Sequence, residues 1–181
     1  MPQLTEVWSQ FVQSWVQQKG KDNKVAFSAD PEWPSPCETR ADDQDFWRPV
    51  LQSDTELDET LGFSNVEDAM QLKINEEYAQ FFTLYFSDNL TAKHEFGELE
   101  FLQPWSESDF VRLQQNLIGH LMMKQRLKQT PTLFFALTDE EDLNLVVNNQ
   151  TGQVCLEYVG KEPHKVIAES LSEFILSSSP S

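Results

Sequence analysis

The sequence predicts a single α+β domain in which a mainly antiparallel central sheet is packed by N-terminal, middle and C-terminal helices. Three observations support this fold class. Apolar residues recur every three or four positions near both ends of the chain, which is typical of amphipathic helices. Short runs of strand-forming residues, separated by polar loops that contain glycine, lie between those ends. The length of 181 residues suits one domain and is short for two.

The N-terminal segment has the pattern of an amphipathic helix. Its apolar residues between Leu4 and Val16 fall three and four positions apart, and Gly20 stands where such a helix would end. The prolines at positions 31–36 hold their neighbours out of helical geometry and predict a long, ordered loop. We expect Trp33 to anchor that loop.

Capping patterns predict two helices in the middle of the chain. Ser64 begins a Ser-x-x-Glu sequence, and Ser106 begins a Ser-x-x-Asp sequence that precedes a long apolar stripe. The apolar residues at 74–86 predict a further helix that runs into a loop at 87–90.

Strand patterns dominate the second half of the chain. Alternation around Gly97 predicts a hairpin, and the continuous apolar run 132–137 predicts a central strand covered on both faces. The runs 143–147 and 153–159 are strand-like and flank a polar loop that contains a glycine.

A short apolar stripe ends the chain. The spacing from Ile167 to Ile175 predicts the C-terminal helix. We therefore expect one domain over residues 1–181, with a frayed, serine-rich tail at 175–181.

The charge balance excludes several classes of partner. Thirteen Lys and Arg oppose thirty Asp and Glu, which gives a formal net charge of -17. Such a field repels nucleic acid phosphates and anionic lipid headgroups, so we expect no nucleic acid partner and no direct insertion into lipid. Half of the acidic excess lies at positions 38–77, where twelve acids oppose three bases.

Cysteine and histidine usage argues against a disulfide framework and a metal site. Cys37 and Cys155 form no Cys-x-x-Cys pair, and the three histidines are isolated from one another. We expect free thiols, no metal and no cofactor. No basic run precedes an apolar segment at the N-terminus, and no run of eighteen apolar residues occurs, so a cytoplasmic location is expected. We also expect a monomer.

Catalysis is the weaker interpretation of the sequence. Cys37 could act as a nucleophile only beside a base, and nothing in the spacing of His94, His120 or His164 selects one. Glycine-rich phosphate loops are absent from the sequence. We therefore expect no enzymatic activity and a structural role for Cys37.

Acids interleaved with aromatic residues suggest a binding surface. The sequence Asp-Gln-Asp-Phe-Trp, together with the nearby Trp33, could form a negatively charged recess with apolar anchors that suits a basic polypeptide. Solvated surface acids are the plainer interpretation, and Trp47 could equally be a core residue. The predicted partner-binding residues are Asp42, Asp43, Asp45, Trp47, Glu98 and Glu100.

Several longer motifs resemble the Syd family, the SecY-interacting proteins of gammaproteobacteria. The resemblance covers nearly the whole chain. The motifs that carry it are Trp105 to Phe110, Gln115 to Leu121, Arg126 to Lys128, Pro131 to Phe134, Pro34 to Cys37, Asp42-Asp43 with Trp47, and Gly152 to Cys155.

This resemblance implies an α+β fold of the superfamily that includes Smi1-like and toxin-immunity proteins, and it implies no enzymatic activity. It also implies a peripheral protein on the cytoplasmic side of the inner membrane that binds the translocon channel SecY and monitors its assembly. Cytoplasmic loops of membrane proteins are rich in Lys and Arg, which suits a strongly acidic partner.

Two other functions compete with SecY binding. An immunity-type protein would use a similar acidic surface to neutralise a basic toxin. A hydrolase would use Cys37, and thiol alkylation would test it directly.

Overall fold

A computed structural model describes residues 3–181 and confirms the α+β fold class. Within the described part of the chain, five α-helices pack around β-sheets. The helices are α1 (Leu4–Lys19), α2 (Ser64–Met70), α3 (Glu76–Thr83), α4 (Glu107–Arg126) and α5 (Leu171–Leu176), and a short 3-10 helix covers Gln52–Asp54. The strands are β1 (Val25–Phe27), β2 (Glu38–Ala41), β3 (Gln44–Trp47), β4 (Val50–Leu51), β5 (Tyr85–Phe86), β6 (Leu90–His94), β7 (Gly97–Phe101), β8 (Thr132–Thr138), β9 (Leu143–Asn148), β10 (Val154–Tyr158), β11 (Lys165–Ala168) and β12 (Ser179–Pro180).

The strands form three antiparallel sheets. The main sheet has seven strands in the order β11-β10-β9-β8-β7-β6-β12. A smaller sheet has the order β1-β3-β2, and β4 pairs with β5 alone. The main sheet is a meander from β6 to β11, and α4 is inserted between β7 and β8.

An aromatic core lies between the main sheet and the helices α1, α3 and α5. Trp8 of α1 is fully buried, and its ring centroid lies 4.6 Å from that of Phe81 on α3 and 5.1 Å from that of Phe101 on β7. The ring centroid of Phe174 on α5 lies 6.0 Å from that of Phe101 and 5.7 Å from that of Phe135. These rings supply most of the apolar contact that holds the three helices on the sheet.

Helix α4 is attached to strands β8 and β10. Its residue His120 packs edge-on against Phe134, and Lys124 reaches Glu157 of β10. Ser106 caps the helix by accepting a hydrogen bond from the Asp109 amide, as the sequence predicts.

The apolar run 74–86 is not one helix, contrary to the prediction. Helix α3 ends at Thr83, and Tyr85–Phe86 pairs with Val50–Leu51 instead. The Gln52 amide donates to the carbonyls of Phe82 and Tyr85, so carbonyls at the end of α3 are satisfied by a side chain. Leu90, predicted within a loop, begins β6.

The C-terminal region also differs from the prediction. Helix α5 begins only at Leu171, with Ser170 as its cap, and Ile167 belongs to β11. Instead of fraying, the chain end adds a strand to the main sheet, because Ser179 and Pro180 pair with Lys93 and Ala92 on β6. This pairing covers an edge that would otherwise expose backbone hydrogen-bonding groups.

The central strand β8 is covered on both faces only in part. Leu133 and Phe135 are fully buried, as expected, but 38% of Leu137 is exposed. Helix α4 therefore leaves part of its face of the sheet open.

Candidate functional site

The predicted acidic segment forms the tip of a β-hairpin. Asp42 and Asp43 connect β2 and β3, and their φ angles of 53° and 60° are those of a two-residue turn that matches strand twist. Both residues are exposed. Asp45 lies further along β3, where its Oδ1 pairs with Arg40 at 2.8 Å and its Oδ2 accepts a hydrogen bond from the Ala29 amide. The turn is therefore the freely exposed part of this segment.

The interpretation of Trp47 as an interface anchor is wrong. Only 4% of Trp47 is exposed, and its ring lies 5.7 Å from Trp15 of α1 and 5.9 Å from Trp105. The small sheet packs its base on the core at this point, and Trp47 fills that contact. It is a core residue, the other possibility that the sequence left open.

Glu98 and Glu100 lie on a different sheet from the hairpin. Both belong to β7, where Glu98 is exposed, 4.0 Å from Lys93, and Glu100 is half-buried. The fold therefore distributes the predicted partner-binding residues over two separate sheets.

Other acidic residues are brought together around a large open groove. The groove has a volume of about 860 Å³, and its lining includes Asp54, Glu56, Asp58 and Glu107. Apolar contact area comes from prolines of the 34–36 segment and from Leu57, Phe86 and Val111. Within residues 3–181, no Lys or Arg belongs to its lining. We call this feature the acidic groove.

A second, narrower recess is lined by Trp33 and Trp105. In the sequence, each of these residues immediately precedes a residue that lines the acidic groove. It has a volume of about 310 Å³, and we call it the aromatic-acidic cleft. Its lining consists of Phe27, Ser28, Asp30, Trp33, Asp88, Asn89, Gln103, Trp105 and Asp109. A cavity of about 210 Å³ adjoins it, shares Asn89, Gln103 and Asp109, and adds Arg112.

The three carboxylates of the cleft are oriented by the backbone. Asp30 accepts from the Glu32 amide at 2.9 Å, Asp88 from the Asn89 amide at 2.8 Å, and Asp109 from the Trp105 amide at 2.8 Å. Each bond uses one carboxylate oxygen. Within residues 3–181 the second oxygen of each group has no hydrogen-bond partner. These groups are held in place with acceptor capacity left over.

The electrostatics of the cleft favour a cation. Partial burial of the Asp88 carboxyl, in a residue that is exposed overall, raises its pKa; the Asn89 amide bond partly offsets this, and the negative charge of Asp109 adds to the rise. A cation in the cleft would reverse this shift, because it favours the ionised carboxylate.

A buried polar cluster lies beneath α4 and consists of His120, Lys124, Thr132 and Glu157. The Lys124 ammonium donates to Glu157 Oε1 at 2.6 Å, and the Thr132 hydroxyl also donates to Glu157. Because the Thr132 hydrogen is used there, His120 Nε2 must donate to Thr132 Oγ1, 3.1 Å away. Burial and the Lys124 charge lower the pKa of His120 to about 4.

The environment of Cys37 opposes a nucleophilic role. Cys37 is fully buried, and burial raises the pKa of its thiol to about 12. An activated cysteine needs the opposite shift. Cys155 is likewise buried with a raised pKa.

The residues of the groove and the cleft could not be predicted as a site, because they lie far apart in the sequence. Asp88 lies in a loop, and Asp109 lies 21 positions later in the first turn of α4. Asp30 lies 58 positions before Asp88. Only the tertiary fold brings them together. Trp33 and Trp105 were the available signal, because both are tryptophans next to turn or capping residues.

Among the described residues, none of the helices combines the length and the apolar composition required to cross a bilayer. Within the same residues, no three His, Cys, Asp or Glu side chains are grouped as metal ligands.

Comparison with known proteins gives consistent matches over the chain. A family model described as Syd protein (SUKH-2) matches residues 1–180. Protein Syd of Alteromonas mediterranea is 54% identical over 174 residues, which cover 94% of this chain and 92% of that protein. Protein Syd of Colwellia psychrerythraea is 40% identical over 180 residues, which cover 95% of this chain and 90% of that protein.

Proposed function

The chain belongs to the Syd family, and on that premise we propose that it binds the basic cytoplasmic loops of the SecY channel through its acidic surface. In this role it is a non-enzymatic, peripheral protein on the cytoplasmic side of the inner membrane, where it monitors the assembly of SecY. The comparisons give the immunity-type alternative no support.

The observation that carries the proposal is the acidic groove. Among the described residues, four acids and no base line a recess of about 860 Å³ that also offers apolar contact. A basic loop would gain favourable charge contacts at the rim and apolar contact at the floor. The net charge of -17 extends the attraction beyond the groove.

The hairpin turn has a separate part in the proposal. Asp42 and Asp43 are exposed at the end of a projecting hairpin. Such charges act on a partner during its approach and contribute little contact once it has bound. We therefore propose that the turn steers SecY loops and that the groove holds them. Asp45, Glu98 and Glu100 add to the same steering field.

The test compares matched charge losses at the two surfaces. Vesicles reconstituted with SecY are presented to the wild-type chain, to Asp54→Asn/Asp58→Asn and to Asp42→Asn/Asp43→Asn, and association and dissociation rates are followed optically. Asn is chosen because it tolerates the positive φ angles of the turn, where Lys would be strained.

We expect the groove variant to associate more slowly and to dissociate several-fold faster, and the turn variant to show only slower association. Wild-type binding should weaken with added salt. Wild-type binding that is equal on vesicles with and without SecY would refute the proposal. Unchanged kinetics of the groove variant would place the contact elsewhere.

A further inference from the structure

A guanidinium group of the chain itself, that of Arg112, already lies against one aromatic residue of the aromatic-acidic cleft. The guanidinium carbon of Arg112 lies 5.2 Å from the ring centroid of Trp33. Arg112 is an exposed residue of the adjoining cavity, so it occupies the edge of the cleft and leaves the interior open. The Trp33 face is therefore already a guanidinium platform.

The second aromatic wall is rigid. The Trp105 ring packs edge-on against two aromatic rings, and its centroid lies 5.8 Å from that of Phe27 and 5.9 Å from that of Trp47. Its indole N–H donates to the Trp33 carbonyl at 3.1 Å, which ties the two walls together. A planar group entering the cleft would meet a Trp105 wall that is already held in place, and Arg112 would have to move only if the group used the Trp33 face that Arg112 covers.

A buried acceptor without a partner also belongs to the cleft. Only 6% of Gln103 is exposed, and its Nε2 donates to the carbonyls of Phe81 and Leu102. These two bonds fix the amide, so Oε1 points away from both carbonyls. Within residues 3–181, Oε1 has no hydrogen-bond partner. A buried oxygen in this state gains from any ligand that brings a donor.

We propose that the aromatic-acidic cleft is an arginine-binding site that takes the guanidinium group of a basic polypeptide. The unused oxygens of Asp30, Asp88 and Asp109 and the Oε1 of Gln103 are all acceptors. A guanidinium offers five donors in a plane and stacks on aromatic rings, whereas an ammonium offers three donors and no flat face.

The size and charge of the cleft agree with this ligand. Its volume of about 310 Å³ is sufficient for one long side chain, and no Lys or Arg of the described part of the chain is in its lining. A metal ion is the poorer candidate, since the carboxylates are not grouped as metal ligands within the described residues. That the arginine belongs to SecY rests on the proposed function, but the site itself can be tested without SecY.

The first experiment uses small probes and the full chain. N-acetyl-arginine amide, N-acetyl-lysine amide and N-acetyl-citrulline amide are titrated at constant ionic strength while indole and side-chain amide signals are recorded by NMR. We expect the arginine probe to shift Trp33, Trp105 and Gln103 saturably. The lysine probe should bind several-fold more weakly, and the uncharged citrulline probe should cause no saturable shift.

The second experiment uses variants with opposite expected effects. Asp30→Asn/Asp88→Asn removes two cleft charges and should weaken the arginine probe about tenfold or more, as expected for lost charge-assisted hydrogen bonds. Asp139→Asn/Glu141→Gln removes the same charge from the exposed segment that follows β8, outside the cleft lining, and should change affinity by less than about twofold, since exposed charges are screened. Arg112→Gln removes the internal competitor for Trp33 and should tighten binding.

The outcomes separate this inference from the proposed function. Equal shifts by the arginine and lysine probes, or equal losses of affinity in the cleft variant and the Asp139→Asn/Glu141→Gln control, would overturn the arginine site. If wild-type chain binds SecY vesicles and the arginine probe leaves the cleft signals unchanged, the inference fails and the proposed function stands. If the probe binds the cleft and SecY vesicles do not bind, the proposed function fails and the arginine site stands.

Discussion

The buried polar cluster and the aromatic-acidic cleft both contain carboxylates, but among the described residues only the cluster pairs a carboxylate with a cation. Glu157 is 2% exposed and receives hydrogen bonds from Lys124 and Thr132. In the cleft, three carboxylates share one recess, and within residues 3–181 no Lys or Arg lines it; Arg112 lies over the Trp33 ring and pairs with none of the three. The fold satisfies the charge in the first region and leaves it unsatisfied in the second.

This difference distinguishes stability from binding. A charge that is fully paired inside the chain has no electrostatic reason to attract a partner, whereas crowded acids gain free energy when a cation arrives. Crowding is visible at Asp88, because the negative charge of Asp109 contributes to its raised pKa, and a bound cation would bring that pKa back down. We therefore assign the polar cluster to the scaffold and the cleft to recognition.

Breaking the pair in the buried polar cluster should have the largest effect on stability. Lys124→Met leaves the Glu157 carboxylate buried without its cation, and we expect the free energy of unfolding to fall by about 3–5 kcal/mol. Denaturant unfolding at pH 7 measures the loss. Arg126→Met, an exposed cation loss on the same helix, is the control and should cost less than about 1 kcal/mol.

The double variant Lys124→Met/Glu157→Leu sharpens this test. With both charges removed, most of the stability should return, because no unpaired charge remains buried. A single-variant loss as small as that of Arg126→Met would contradict the scaffold role. Binding of the arginine probe at the cleft should be the same in every folded variant.

The pH response of the same cluster gives a second, smaller effect. The pKa of His120 is about 4 in the folded chain and 6.5 in its ordinary state, so the unfolded chain takes up a proton first as the pH falls. This residue therefore stabilises the fold fully above pH 6.5 and loses that contribution on the way down to pH 4. From these two values, the loss at pH 5 is about 2 kcal/mol.

His120→Gln isolates that contribution. Glutamine can still donate to Thr132 but does not titrate. The raised pKa of Glu157 acts in the opposite direction with pH, and it is present in both chains, so it largely cancels from the comparison. Unfolding curves at pH 8 and pH 5 should show a smaller acid loss for the variant. An identical loss in both chains would mean that His120 does not carry the effect.

The two regions also differ in how far the sequence could predict them. The helix that carries His120 and Lys124 follows from its Ser106 cap and apolar stripe, and the strand that carries Glu157 follows from a strand-like run beside a glycine-containing loop. Their pairing does not, because a Lys in the last turn of a helix is ordinarily a solvated, dipole-compensating residue.

Tertiary packing explains the remaining misses. Trp47 lies next to acids in the sequence, yet β3 alternates and turns that ring inward onto Trp15. Tyr85 and Phe86 are buried, and a short buried run carries no periodicity that separates strand from helix. The cleft is formed by three segments, and none of them carries a local sequence pattern that predicts a binding site. Only the positions of Trp33 and Trp105 indicated it.

The smallest expected effect tests the unsatisfied charge of the cleft directly. The raised pKa of Asp88 means that the folded chain holds its proton more tightly than the unfolded chain, so ionised Asp88 reduces stability at neutral pH. Asp88→Asn keeps the acceptor for the Asn89 amide and removes the charge. We expect the variant to be more stable than wild type at pH 7, by less than about 1 kcal/mol because the residue is exposed. The difference should disappear below pH 3.8, where the carboxyl is protonated in both states.

Asp58→Asn, at the open groove, is the matched control and should change stability less. A loss of stability at pH 7 in Asp88→Asn would show that the fold does satisfy this carboxylate, and the contrast between cluster and cleft would then not hold.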